Sequence, residues 1–195
     1  MNEDVLPPEI RCRIAKIARK NQLSVNTLFE KNTELSQITW ETLKIFELNL
    51  RWHVDQVMLG FTNNPNWRQD SEIFIPKHIS RSPKLSKNYQ VVGLGFLSLL
   101  FSDRYHATIW VPCLKSSLPA WVKTRRELHK SLSSLVQVRN RIAHHEIIYN
   151  YPLIEIIDFA QQMLIDINPV AADEIRERNY AKTINKIRLG SGGGI

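Results

Sequence analysis

The sequence predicts an all-α protein, a helical bundle with one long irregular connection. Three observations carry this. Apolar residues recur at steps of three and four through nearly the whole chain, no segment alternates in the manner of a strand, and the breaks fall at proline and asparagine clusters. Pro7 and Pro8 before Glu9 mark a first helix, with Ile10, Ile14, Ile17 and Ala18 on one face. A second, short helix is expected from Ser24, and a long one over Leu35 to Gly60 on the stripe Leu43, Phe46, Leu50, Val54 and Val57. Asn63-Asn64-Pro65-Asn66 is a turn. Residues 67–87 carry two prolines and many polar residues, and read as a long loop with one short helix. Ser86 is the expected cap of an apolar helix ending at Phe101, and Tyr105 to Trp110 of another short helix, stopped near Pro112. Pro119 leads into a helix expected over Ala120 to Tyr149. Pro152 separates it from Leu153 to Ile167, and Asn168-Pro169 precedes a last helix over Ala171 to Arg188. Residues 1–189 are expected to form a single domain, and the Gly-rich residues 190–195 a flexible tail.

Composition narrows the class. At 195 residues with 43% hydrophobic content the chain can bury a sizeable core. Cys12 and Cys113 lie far apart and match neither a disulfide framework nor a metal site. The acidic start Met1-Asn2-Glu3-Asp4 lacks the layout of a signal peptide. The longest nearly apolar run, Val91 to Phe101, covers 11 residues, whereas a membrane span needs about 20. The expected setting is soluble, reducing and cytoplasmic, with no membrane partner. The net charge of +7 is unevenly placed: residues 77–145 hold 12 Lys/Arg against 2 Asp/Glu, and five of the six histidines. Such a run is either a solvated basic face or a surface for a polyanion, most simply nucleic acid.

The densest chemistry lies in Arg139-Asn140-Arg141-Ile142-Ala143-His144-His145-Glu146. The helix carrying it has the stripe Leu128, Leu132, Leu135, then position 139, then Ile142, so Arg139 is expected where an apolar residue belongs. A guanidinium there needs an anion, a carboxylate or a helix end. Asn140 and His144 are four apart and share a face, which lets the amide orient the imidazole. Arg139 and His144 are five apart and diverge by about 140° at roughly 100° per residue. They can border one cleft without stacking, and a second copy of the helix would bring complementary groups together.

These residue types suit cleavage of RNA by its own 2′-hydroxyl. The attack needs a base for the hydroxyl and an acid for the leaving oxygen, roles an imidazole fills near neutral pH. An arginine fork stabilises the charge gathering on phosphorus. No metal or cofactor is required, and the product is a 2′,3′-cyclic phosphate. A purely structural role is equally compatible with the spacing: Arg139 paired with a buried carboxylate such as Glu47, and Asn140 with His144 as a satisfied polar pair. Other chemistries fit less well. The second histidine of an H-E-x-x-H zinc motif begun at His145 would fall at Tyr149, and no Cys/His cluster compensates. No glycine loop cradles phosphate, and Gly93 and Gly95, inside the apolar helix, are expected to allow close helix packing.

Arg139-Asn140-x-x-x-His144 resembles the R-[polar]-x-x-x-H signature of the HEPN superfamily, and Val138 to Glu146 resembles its Abi-like (abortive-infection) branch, where "lRNRiaHHE" recurs. Two upstream blocks agree in order. Val91 to Phe101 followed by Tyr105 and Trp110 is similar to the branch's "LsFGfW..Lf…y…lW" region, and Phe46-Glu47-Leu48-Asn49-Leu50-Arg51 after Trp40 to its "lE..LRN" helix. The likeness spans roughly residues 35 to 150. It implies a HEPN-type bundle with additional helices, a homodimer with paired R-x4-H motifs at its interface, and a metal-independent endoribonuclease serving as a toxin or phage-defence effector. An antitoxin or another regulatory partner is compatible with that role. By position, Arg139 and His144 are the implied catalytic pair and Asn140 the orienting residue. Arg141, His145 and Glu146 are implied supports of substrate or fold, with Glu47 and Arg51 either site-supporting or an ordinary i,i+4 ion pair. The alternative is a non-catalytic HEPN module that binds RNA or a protein. The chain departs from the pattern at Ile147, where proline is usual after the glutamate, at Trp52 in place of asparagine, and at Leu97, which reduces the aromatic pair of the "GfW" segment to Phe96.

Overall fold

The computed structural model describes residues 7–69 and 93–189. Over these the chain is all-α, with seven α-helices and no strand. Ser86, the interior of the long connection and the Gly-rich tail lie outside the described residues. The first helix, α1, spans Pro8–Lys20. It presents Ile14 and Ala18 to the core and leaves Ile10 exposed.

The central element is α2, Val25–Thr62, 38 residues long. It absorbs both the short helix expected at Ser24 and the long one expected from Leu35. Ser24 is indeed an N-cap, its hydroxyl accepting from the Thr27 N–H at 3.0 Å. Between Ser24 and Leu35 there is neither glycine nor proline to stop the helix. The core-facing row continues through Leu28, Asn32, Leu35, Thr39, Leu43, Phe46, Leu50, Val54 and Met58, all buried. Asn32 breaks the apolar pattern without breaking the helix, because its amide is used elsewhere. α2 ends at Asn63, whose φ of 51° places it in the left-handed region that closes helices.

The next described helix, α3, is Leu94–Leu100. Gly93 precedes it as its N-cap rather than lying inside it, and a Cβ at Gly93 or Gly95 would meet only ordinary van der Waals contacts. Close helix packing therefore does not depend on either glycine. Asp103–Tyr105 form a 3₁₀ turn, His106–Trp110 one turn of π-helix, and Leu114–Ser117 a second 3₁₀ turn. Arg125 is buried beneath this segment, donating to the Phe101 carbonyl at 2.6 Å and pairing with Asp103. One cation of the basic run is thus structural.

α4 is Arg125–Ala143, shorter at both ends than Ala120 to Tyr149. Thr124 caps its start, accepting from the Glu127 N–H at 3.2 Å. α5 spans Leu153–Ile167 and α6 Pro169–Glu177, divided by Asn168, whose side chain accepts from the Ala171 N–H and donates to Asn49 at 2.8 Å. The charge-rich final helix is divided in two as well. Asn179, at φ 50°, ends α6 and lets α7 start at Tyr180 and run to Leu189. Arg178 beside it is anchored by Glu41 at 2.9 Å and Glu174 at 2.7 Å. The other helices pack around α2, and the buried residues form one continuous apolar cluster. Among the described residues, no helix is long and apolar enough to cross a membrane.

Two groups fix the strand of chain between α4 and α5. From α2, the Asn32 side chain accepts from the buried Ile148 N–H at 2.7 Å and makes a longer contact to the Glu146 carbonyl at 3.5 Å. From α7, Arg188 donates to the Tyr149 carbonyl at 3.0 Å and to that of Tyr151, while its own carbonyl accepts from the Tyr149 hydroxyl at 3.2 Å. Replacing Asn32 by leucine keeps the branched outline of the side chain and strands the Ile148 N–H. The expected loss is about 1–3 kcal/mol, a fall in Tm of about 2–4 °C for each kcal/mol. A melting curve of Asn32→Leu that matches wild type would show that the amide does not hold this segment.

Candidate functional site

The octet 139–146 is where α4 stops. The Glu146 N–H donates to the Arg141 carbonyl at 2.8 Å and the His145 N–H to the Ile142 carbonyl at 3.0 Å. With His145 at φ 55°, this is a Schellman closure whose left-handed position holds histidine instead of glycine. The contact that usually seals such an end is apolar. Here the same two positions carry Arg141 and Glu146, joined by an ion pair of 2.5 Å. His144 is the C-cap residue and is exposed, as is His145.

Arg139 does not occupy a core position. The buried row of α4 runs Leu128, Leu132, Leu135, Val138, the last step being three rather than four. Arg139 falls at its edge with 37% of its side chain exposed. Three groups guide it. Its Nε lies 4.0 Å from Glu47 Oε2, its Nη1 reaches Asn140 Oδ1 at 3.4 Å, and its guanidinium carbon sits 5.7 Å from the Trp40 ring centre. The Glu47 contact is too long for a hydrogen bond, because that carboxylate is committed elsewhere. Glu47 Oε1 pairs with Arg51 at 2.6 Å and accepts from the Leu94 N–H at 3.2 Å. It therefore serves the start of α3, where the helix dipole favours an anion. Glu47 and Arg51 are an i,i+4 pair, but a largely buried one that joins two helices.

Asn140 turns toward Arg139. Its link to His144 is through the backbone, the His144 N–H donating to the Asn140 carbonyl at 3.0 Å. Among the described residues, no side chain bonds the His144 imidazole, so the amide does not orient it. The spacing argument misassigns the amide because Asn140 Oδ1 accepts from Arg139 instead.

Three recesses open around this end of α4. Arg139 lines one with Trp40, Lys44, Glu47 and Arg51. His144 lines another, with Arg141, His145, Glu146 and residues of α1. The third, mostly apolar, lies between them and takes Trp40 from the first and His145 from the second. Within one chain, Arg139 and His144 thus face different recesses on one connected surface. Trp40 and Arg13, both part of this surface, stand outside the sequence motif. Besides its place before the Phe46–Arg51 block, Trp40 stands out as an aromatic on the polar side of α2, in a row with Lys44, Leu48 and Trp52 at steps of four.

Comparison with protein-family models, with curated proteins and with solved structures found no match.

The left-handed residue gives a test of the helix stop. A non-glycine residue pays about 1–2 kcal/mol at such a φ, and a β-branched residue fares worst. The expected order of Tm is His145→Gly at or above wild type, and His145→Val below both by several degrees. Equal melting points for the glycine and valine variants would mean that α4 does not end in this closure.

Proposed function

We propose that the chain is a homodimeric, metal-independent endoribonuclease of HEPN type, of the Abi-like branch, acting as an abortive-infection or toxin effector. The observation that carries this reading is the state of Arg139. It is steered by Trp40, Glu47 and Asn140, yet keeps more than a third of its side chain open to solvent, at the same helix end where His144 is exposed. An arginine serving only as a structural ion pair would sit closer to Glu47 than 4.0 Å.

In the proposed reaction the RNA 2′-hydroxyl attacks the adjacent phosphorus while a base takes its proton. The bond to the 5′-oxygen breaks as an acid protonates that oxygen, leaving a 2′,3′-cyclic phosphate and a 5′-hydroxyl. His144 exchanges the protons, and Arg139 stabilises the equatorial oxygens. Because the two residues face different recesses of one protomer, a partner's copy completes the site. Leu48, 46% exposed, lines the Arg139 recess, and with Trp52, one turn on and 52% exposed, it is the apolar surface assigned to that partner. Exposed cations of the basic run, among them Lys123, Arg126 and Lys130, hold the phosphate backbone, so binding weakens with salt.

The same separation of Arg139 from His144 favours a second reading, a HEPN module that binds RNA or a protein without cutting it. The two part in one assay. Total RNA incubated with purified protein and EDTA is expected to yield fragments with cyclic-phosphate ends. Arg139→Ala and His144→Ala are each expected to lower the rate by about 10²- to 10⁴-fold with Tm unchanged. Salt-sensitive RNA binding without cleavage would support the binding module. Cleavage by either variant at the wild-type rate would remove that residue from the mechanism. Leu48→Asp is expected to give a monomer by light scattering, and a variant that stays dimeric would relocate the interface.

A further inference from the structure

The recess against α1 has a volume of about 430 Å³, within the range of small-molecule sites. Its apolar wall comes from Ile10, Ile14 and Ile17 of α1 and from Ile147 beyond the bend. Its polar side is cationic. Arg141 bonds Glu146 at 2.5 Å, and Arg13 approaches the same carboxylate at 3.9 Å. Two guanidinium groups thus share one carboxylate and leave a positive charge, before either histidine is counted. Arg141 also sits over the Tyr151 ring, its guanidinium carbon 4.9 Å from the ring centre, and 31% of its side chain stays exposed. A guanidinium backed by an aromatic ring is a stacking platform for a base. The exposed Asn150 amide adds a donor and an acceptor at the rim.

An occupant that matches this lining has a planar, largely apolar body, a hydrogen-bonding edge and an anionic group. We propose that the recess binds a single nucleotide, the base between Arg141 and the isoleucine wall and the phosphate toward Arg13 and His144. This deepens the ribonuclease reading: within it, the recess is the subsite for the nucleotide next to the scissile phosphate, and its size admits one unstacked base and no base pair. The binding itself is independent of cleavage.

The test uses the full chain and free ligands. The histidine ring resonances of wild type, assigned with His144→Ala and His145→Ala, are followed by NMR during titration with uridine and adenosine monophosphates, the two nucleosides and inorganic phosphate. A nucleoside monophosphate is expected to shift the His144 and His145 signals saturably, with nucleoside or phosphate alone at least tenfold weaker. Ile10→Trp, which fills the recess from an exposed position, and Arg13→Glu, at a side chain 67% exposed, are each expected to weaken binding at least tenfold with Tm retained. The proposal is overturned if the monophosphates do not bind, if phosphate alone binds as tightly, or if both variants bind as wild type does. Nucleotide binding in a protein that cuts no RNA sustains the recess and ends the ribonuclease reading. Cleavage by a protein whose two variants bind nucleotide normally does the reverse.

Discussion

The amide of Asn32 is the contact on which the site depends. It stands in the buried row of α2, where every neighbour on the row but Thr39 is apolar, and accepts from the Ile148 N–H at 2.7 Å. A backbone N–H buried without a partner is costly, so the chain leaving α4 is drawn to one place on α2. That placement goes with the left-handed turn at His145 and with the recess beneath α1. Arg188 secures the next residues from α7, so a polar group from each end of the sequence fixes the segment that follows the motif.

Glu47 has the same role for the other half of the site. Its two oxygens face three claimants: Arg51, the first N–H of α3 and Arg139. The first two are satisfied at bonding distance and the third is not. A carboxylate so shared holds Arg139 by long-range attraction, with Trp40 beneath it, and leaves the guanidinium fork accessible to an anion. Segments far apart in sequence therefore meet in space: the middle of α2, the start of α3 and the end of α4 converge on the Glu47 carboxylate.

The helical class was legible because burial imposes its period on the apolar residues, and Leu128, Leu132 and Leu135 fall where the period puts them. Breaks were legible where a residue acts by its own chemistry, as Pro152 and Pro169 do at the starts of α5 and α6. The stop at His145 was not, since a left-handed position normally advertises itself by glycine or asparagine and here is enforced from outside by Asn32 and by an ion pair. Asn179 did carry such a sign, masked by the charged residues that run on past it. Spacing on an ideal helix assigned Asn140 to His144, whereas the fold turns its amide to Arg139. Partners distant in sequence, such as Asn32 for Ile148 or Arg13 for Glu146, leave no trace in local periodicity. Asn32 alone offered a hint, as a polar residue on an otherwise apolar row.

The length of α2 has a metrical consequence. At about 1.5 Å per residue, the helix carries Asn32 and Glu47 about 22 Å apart on one uninterrupted rod, with Trp40 between them. The separation of the bend from the start of α3 is therefore set by a count of residues, as on a ruler. Inserting or deleting a single residue between positions 32 and 47 would turn one anchor by about 100° relative to the other and move Glu47 away from Arg139 or Asn32 away from Ile148. Substitutions on the outer face of this stretch leave the ruler intact. Changes of length do not, so drift in this protein should appear there as exchange of residues and never as gain or loss of them.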